Sequence, residues 1–278
     1  TPVSRTAQIR AMARNDVPQA EAMLTDFIAG LIGIPVLGLR INQDQYSLNS
    51  LNGFFDSDGQ GYFFKFHQEE GEEAMRGEYY RADILARAGL PVDQPVHLST
   101  LPGEQLLVYR RRSDPRFSDV LFDLDRAPDD AARARAADAE AGLNDRILTV
   151  ASDSLVPITP DQAVAEPIHR LFYERLIDLP GGSYPGGRLA AFYVGKSFRF
   201  PGGLDLPWDA IADARPVING LEHGRSLRQM FDLAHTRYAP QATADAGGIV
   251  AHGDAHNANV WYERGAERDR LAFFDPAF

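Results

Sequence analysis

The chain has 278 residues, 44% of them hydrophobic, which is enough to bury one large core or two smaller ones. It contains no cysteine, so disulfides and thiolate metal sites are excluded and any metal must be held by oxygen or imidazole, a donor set that suits magnesium better than zinc. The formal net charge of −11 argues against gripping nucleic acid or an anionic membrane, and no run has the length of a membrane helix or the pattern of a secretory signal, so a soluble cytoplasmic protein is expected.

From Gln19 to Leu31, apolar residues at Met23, Phe27, Ile28 and Leu31 have helical spacing and end in a Gly/Pro cluster, predicting a leading helix. Strands are predicted at Val36–Ile41, Gly53–Phe55 and Gly61–His67, with a polar loop from Tyr46 to Asn52 and a turn from Asp56 to Gln60. A helix follows from Glu72 to Ala88, closed by Gly89 and Pro91, then a short strand at Gln105–Tyr109. From Ser113 to Asp161 the composition shifts to Asp, Ala and Arg, and the alanine-rich run from Ala131 to Ala141 predicts a solvated helix. Helical spacing returns at Ile168–Leu179, followed by a Gly/Pro loop from Gly181 to Gly187 and a helix from Ser226 to Tyr238. Short strands are expected at Ile249–Ala251, Asn259–Tyr262 and Leu271–Phe274. The chain opens at Thr1 without methionine and stops at Phe278 just after its last apolar strand, so trimmed ends are expected.

The chemistry concentrates in His252-Gly253-Asp254-Ala255-His256-Asn257-Ala258-Asn259, between two short strands and upstream of the apolar run that ends in Asp275-Pro276. Phosphoryl transfer from ATP needs an aspartate to orient the acceptor hydroxyl and take its proton, and an asparagine five residues later whose carbonyl oxygen reaches the metal. Asp254 and Asn259 have that spacing, and Asp275 lies where a second carboxylate would chelate magnesium. Five fixed positions of this kind arise by chance in roughly one chain in ten thousand. The alternative is that His252 and Asp254 cap a turn.

The form H-G-D-x-H-x-x-N resembles the catalytic loop of aminoglycoside phosphotransferases, choline kinases and related small-molecule kinases, and differs from the H-R-D of protein kinases. The resemblance runs from about Ile41 to Phe278 and implies an α+β, bilobal protein-kinase-like fold. Its N-terminal lobe, residues 1–112, would be an antiparallel sheet with one helix of the αC type. Its C-terminal lobe, residues 113–278, would be mainly helical, with an insertion at about 113–165 and an abrupt end after the metal-binding Asp275. ATP and Mg2+ are implied as cofactors, Asp254 as catalytic base, and Asn259 and Asp275 as metal ligands. The partner would be a small-molecule hydroxyl acceptor: an aminoglycoside, amino sugar, sugar or amino alcohol.

Lys65, one of only two lysines with Lys196, lies in the aromatic strand Tyr62-Phe63-Phe64-Lys65-Phe66, where a buried ammonium needs a partner. The resemblance supplies two, the ATP phosphates and a helix glutamate, for which Glu78 is the candidate and Glu72 and Glu73 are alternatives; an exposed strand lysine covering apolar surface is the competing reading. Ser47, Asn49 and Ser50 occupy the position of a phosphate loop, and an ordinary hairpin turn fits the same residues. Tyr109 to Arg111 occupy the interlobe hinge that would receive adenine, so Tyr109 and Arg111 join the nucleotide-binding set. The run Arg110-Arg111-Arg112 is read as a solvated face or as pairing with acids such as Asp114. His256 is read as supporting the loop. Two other classes compete: a catalytically silent nucleotide-binding relative, and nucleotidyl transfer on the same scaffold. ATP versus GTP preference and oligomeric state stay open.

Overall fold

The computed structural model describes residues 4–43, 50–67, 72–99, 101, 103–165, 187–234, 236 and 247–276. The chain divides into two compact units, Thr1–Asp153 with Val250–Phe278, and Ser154–Ile249. The lobe boundary expected near residue 112 runs inside the first.

The first unit begins with two helices that share a joint. Helix α1 (Arg5–Asn15) is capped by Ser4, whose hydroxyl accepts from the Ala7 N–H, and α2 (Val17–Ile32) is capped by Asp16. Asp16 and Pro18, which stands at the start of α2, set that helix off two residues before the apolar spacing alone would. Gly33, at φ 70°, closes it.

Strands β1 (Leu37–Ile41), β2 (Ser50–Ser57), β3 (Gln60–His67), β4 (His97–Ser99) and β5 (Leu106–Arg110) form an antiparallel sheet in the order β1-β2-β3-β5-β4. The predicted strand at Gly53–Phe55 extends at both ends, because each residue from Ser50 to Ser57 finds a partner on β3. The predicted turn at Asp56–Gln60 shortens to Asp58-Gly59, both at positive φ, the two-residue turn whose twist matches a hairpin. Side chains alternate across the pleat. Phe55, Phe64 and Val108 are almost fully buried and share one core with Leu24, Phe27 and Ile28 of α2. Asn52, Phe54, Phe63, Lys65 and Tyr109 fall on the opposite parity, in register across β2, β3 and β5. Gly53 is required here: a Cβ would lie 2.0 Å from the Arg40 carbonyl oxygen and 2.8 Å from the Phe64 ring.

Helix α3 (Glu72–Ala88) ends at Gly89, φ 101°, and buries Leu85. Beyond β5 come α4 (Phe117–Arg126) and α5 (Asp130–Ser154). The alanine-rich run is helical as expected and solvated on all but one face. It is part of a 25-residue helix whose Ala136, Ala139, Leu143 and Val150 are buried, small side chains letting the backbone approach the core. These residues join Phe117, Leu90 and the hairpin of β6 (Val260–Glu263) and β7 (Arg270–Phe273) in a second core.

The second unit holds two short hairpins, Ser197–Arg199 with Asp205–Pro207 and Val217–Ile218 with Leu221–Glu222. Its helix Leu227–Leu233 starts at a capping box of Ser226 and Gln229, and the predicted helix end at Tyr238 lies outside the described residues. The predicted helix at 168–179 and most of the loop at 181–187 lie outside the described residues, and Gly187 opens a helix, Gly187–Tyr193. The strand expected at Ile249–Ala251 is absent; the pairing falls at Gly247–Gly248 against Val156–Pro157, where an added Cβ at Gly247 would lie 2.7 Å from Leu155 Cδ1. No described helix is long and apolar enough to cross a membrane.

A buried carboxylate locks α5 to the hairpin. Asp269, 7% exposed, receives two guanidinium hydrogen bonds from Arg135, at 3.2 and 2.7 Å, a short one from the Tyr262 hydroxyl, and the Gly265 N–H. Arg135 holds the Asp269 carboxyl well below the usual range, while burial and the same carboxylate push the Tyr262 phenol up to about 12. Because the folded-state value is depressed, the stabilisation is full above the unfolded carboxylate value of about 4 and is lost as pH falls below it. Asp269→Asn is expected to lower the thermal midpoint at neutral pH by about 5 °C. It should also flatten the acid limb of the stability profile, which chemical denaturation between about pH 3 and pH 7 will measure.

Candidate active site

The β6–β7 hairpin positions most of the predicted site. Val260 pairs with Phe273, and one step outward the Phe274 N–H donates to the Asn259 carbonyl at 3.0 Å. Asn259 ends a short 3-10 turn, Asn257–Asn259, and Asp275 follows Phe274, so the ladder brings the two predicted metal ligands to its open end. Asp275 has φ 51°, a left-handed backbone that aspartate tolerates better than most side chains.

The loop from His252 to Asn259 is tied to that end by side chains. His252 is 3% exposed. Its Nδ1 accepts the Asp254 N–H at 3.2 Å, which leaves the ring proton on Nε2, and Nε2 donates to the Phe274 carbonyl at 2.7 Å. Burial lowers its pKa despite the pull of the Phe274 carbonyl and of Asp254 and Asp275, in keeping with this neutral tautomer. The Asn259 Nδ2 donates to Asp254 twice, to the backbone oxygen at 3.0 Å and to Oδ2 at 3.2 Å. The amide oxygen, the atom a metal would use, is not the atom spent on Asp254. His256 stands over the loop with Nε2 3.5 Å from Asp254 Oδ2.

Lys65 arrives from the sheet. Its Nζ donates to Asp275 Oδ1 at 2.7 Å across 210 residues of sequence and lies 5.9 Å from the centroid of the Tyr109 ring. The lysine side chain is 11% exposed and the aspartate 54%, so the pair sits at a mouth, with the ammonium inward and the carboxylate outward. The reading of Lys65 as an exposed strand lysine is thus overturned: it lies on the face of β3 that looks toward the hairpin.

The two elements enclose a cleft of about 530 Å³. Phe54, Phe63 and Tyr109 line it from the sheet, Trp261 and Phe274 from the hairpin. Five basic side chains face it, Lys65, Arg110, Arg111, Arg112 and Arg116, against two carboxylates, Asp93 and Asp275. In a chain of net charge −11 this is a local reversal of sign. Arg111 lies 4.5 Å over the Phe54 ring and its N–H donates to the Gly61 carbonyl; Arg116 lies 5.4 Å over Phe274. Arg112 pairs with Asp114 at 3.0 Å, as the sequence led us to expect, and also with Glu263 of β6.

The remaining predicted residues fall at the edge of what is described. Glu78 is on α3, and its side chain lies outside the described residues, as do Ser47 and Asn49 altogether. Ser50 opens β2 opposite His67, so it belongs to a strand and not to a loop. Trp261, Phe274, Asp93 and Arg116 escaped the sequence reading. For Trp261 and Phe274 a signal existed: each is adjacent, or nearly so, to a residue already singled out, in a hairpin whose alternation was legible. Among the described residues no cluster of three or more His, Cys, Asp or Glu side chains forms a metal site, so any metal would rest on the pair of hard oxygen donors, Asp275 and Asn259. That pair suits magnesium, which keeps waters and takes further ligands from phosphates.

His252 should act as a neutral strut. Its folded-state pKa is lowered, so its contribution is full above the unfolded value of about 6.5 and is lost as pH falls toward the folded one. His252→Ala is expected to destabilise the chain by about 2–4 kcal/mol and to remove a stability slope just below about pH 6.5, read by urea denaturation.

No family model matches the chain, and no curated protein matches it. Two solved structures align along most of it. Spectinomycin phosphotransferase APH(9)-Ia, solved with ADP and spectinomycin, is 13% identical, with 92% of this chain and 68% of that one covered at a TM-score of 0.40. A thermostable mutant of aminoglycoside phosphotransferase APH(4)-Ia, in apo form, is 15% identical, with 90% and 70% covered at a TM-score of 0.42. Built from a five-stranded antiparallel sheet, helices and a hairpin-borne polar loop, the chain is similar to aminoglycoside phosphotransferases.

Proposed function

We propose that this chain is an ATP- and magnesium-dependent phosphotransferase acting on a hydroxyl of a small molecule. The observation that carries the reading is the convergence of Lys65 and Asp275, 2.7 Å apart, with a loop in which Asn259 and His252 both hold Asp254. Lys65 and Asp275 line a cleft that is basic in an acidic chain, and Asn259, which holds Asp254, is bonded to Phe274 next to Asp275, an arrangement that supports phosphoryl transfer.

In this reading the Asp254 carboxylate orients the acceptor hydroxyl and takes its proton as the oxygen attacks the γ-phosphorus and ADP leaves. The Asn259 amide, donating to Asp254 Oδ2, fixes the rotation of the carboxylate and leaves Oδ1 to the acceptor. Lys65 binds phosphate oxygens, with Glu78 as its helix partner and Ser47 and Asn49 as further phosphate contacts. Tyr109 and Arg111 border the base. Asp275 and the Asn259 amide oxygen would hold magnesium, which when bound screens the charge of the phosphates. The acceptor is neutral or cationic in keeping with the net charge: an aminoglycoside, amino sugar, sugar or amino alcohol.

The test is ATP turnover with magnesium against a panel of such acceptors, with product masses recorded. Acceptor-dependent ADP release and a product heavier by one phosphate are expected. A nucleotide adduct would mean nucleotidyl transfer, and ATP binding without product a silent relative. Asp254→Ala should lower kcat by about 10²–10⁴ with little change in nucleotide affinity. Lys65→Ala should lower kcat/KM for ATP by about 10² or more, since it removes a phosphate contact and leaves Asp275 without its ion pair.

A further inference from the structure

Asp93 faces the cleft yet has no part in the phosphoryl transfer described above. Its N–H donates to the Phe273 carbonyl at 2.8 Å and its neighbour Val92 bridges Phe273, so its backbone is fixed to β7. The carboxylate, by contrast, is poorly matched. Its cation is Arg112, and that guanidinium is committed elsewhere: Nε to Asp114 at 3.0 Å and Nη2 to Glu263 at closer range, leaving Asp93 only Nη1 at 3.8 Å. One positive charge cannot neutralise three carboxylates. The Trp261 indole N–H lies beside Asp93, near enough to favour its charge, but outside hydrogen-bond geometry.

The Asp93 side chain is 20% exposed, so water satisfies it only in part. Burial raises its pKa in spite of Arg112, as expected for an acid whose desolvation is not fully offset. A half-satisfied acceptor in a cleft walled by flat rings, Phe54 and Phe63 on one side and Trp261 and Phe274 on the other, fits a planar ligand that carries a hydrogen-bond donor on its edge. Lys65 and Asp275 mark the polyphosphate end of the same cleft, which leaves the rings and Asp93 for the base.

We propose that Asp93 reads the nucleotide base, accepting a hydrogen bond from the exocyclic amine of a purine. The inference rests on the phosphotransferase reading. Adenine and guanine share this chemistry, and the ligands of the test separate them: ATP against purine riboside triphosphate, which lacks the adenine amine, and GTP against inosine triphosphate, which lacks the guanine amine. Inorganic tripolyphosphate reports the phosphate end alone.

Dissociation constants for all five are measured on the wild-type chain and on Asp93→Ala, with thermal midpoints as the check on folding. Wild type should favour one amine-bearing nucleotide over its amine-free counterpart by about tenfold or more. Asp93→Ala should bring that ratio close to one and leave tripolyphosphate binding unchanged. Should Asp93→Ala fail to fold, Asp93→Asn, which keeps shape and one acceptor but loses the charge, should lower the ratio by a smaller factor. No amine preference in wild type, or a preference that survives Asp93→Ala, overturns the role of Asp93 while the phosphotransferase reading stands. Failure of wild type to bind any nucleotide or tripolyphosphate overturns both.

Discussion

The site depends on the backbone of one residue, Phe274. Its N–H is held by the Asn259 carbonyl and its carbonyl by the His252 ring, so a single residue joins the end of the hairpin, the polar loop and the residue that follows, Asp275. The bond partners His252 and Asn259 are both buried, which makes these hydrogen bonds costly to lose. A neutral imidazole suits the task. A second positive charge so close to Lys65 would compete for Asp275 and Asp254, whereas the uncharged ring fixes the backbone and leaves both carboxylates to their own partners.

The hairpin is itself held from behind. Arg135 of α5 grips Asp269 in the connection between β6 and β7, and Arg112, just beyond β5, reaches Glu263 on β6. The two arginines fix the hairpin at different points, one from the helix and one from the sheet. Packing of Val260, Tyr262, Leu271 and Phe273 against Phe117 and α5 supplies the bulk of the burial, and the ionic contacts set position more than stability.

Much of this was legible in the chain. The hairpin strands of the sheet, α3 and the polar loop all follow from local pattern, and the Asp254 to Asn259 spacing is a property of six residues. Lys65 and Asp275 were each singled out, but the resemblance gave Lys65 the ATP phosphates and a helix glutamate as partners; its ion pair with Asp275 came only with the fold, since nothing local links residues 210 apart. What escaped the sequence was decided by packing. The one buried face of α5 was not legible because alanine has no strong preference for inside or outside, and only the close approach of the helix to the second core resolves the matter. Trp261 and Phe274 were legible as strand residues and not as cleft walls, because which face of a two-stranded hairpin is covered depends on its neighbours. The network around Arg112 draws on Asp93, Asp114 and Glu263 from three parts of the chain, and charge counting cannot choose among so many acids.

The left-handed backbone at Asp275 narrows the paths by which this site could decay. With φ at 51°, the position admits asparagine and glycine readily and penalises branched or bulky side chains. A glutamate would keep the charge but must bear the backbone strain as well as reach differently for Lys65. Drift that removes the Asp275 carboxylate while sparing the fold is thereby channelled into two outcomes, Asn or Gly. A relative that had lost this carboxylate and kept the fold would carry one of those two residues before the proline, a mark readable from sequence alone.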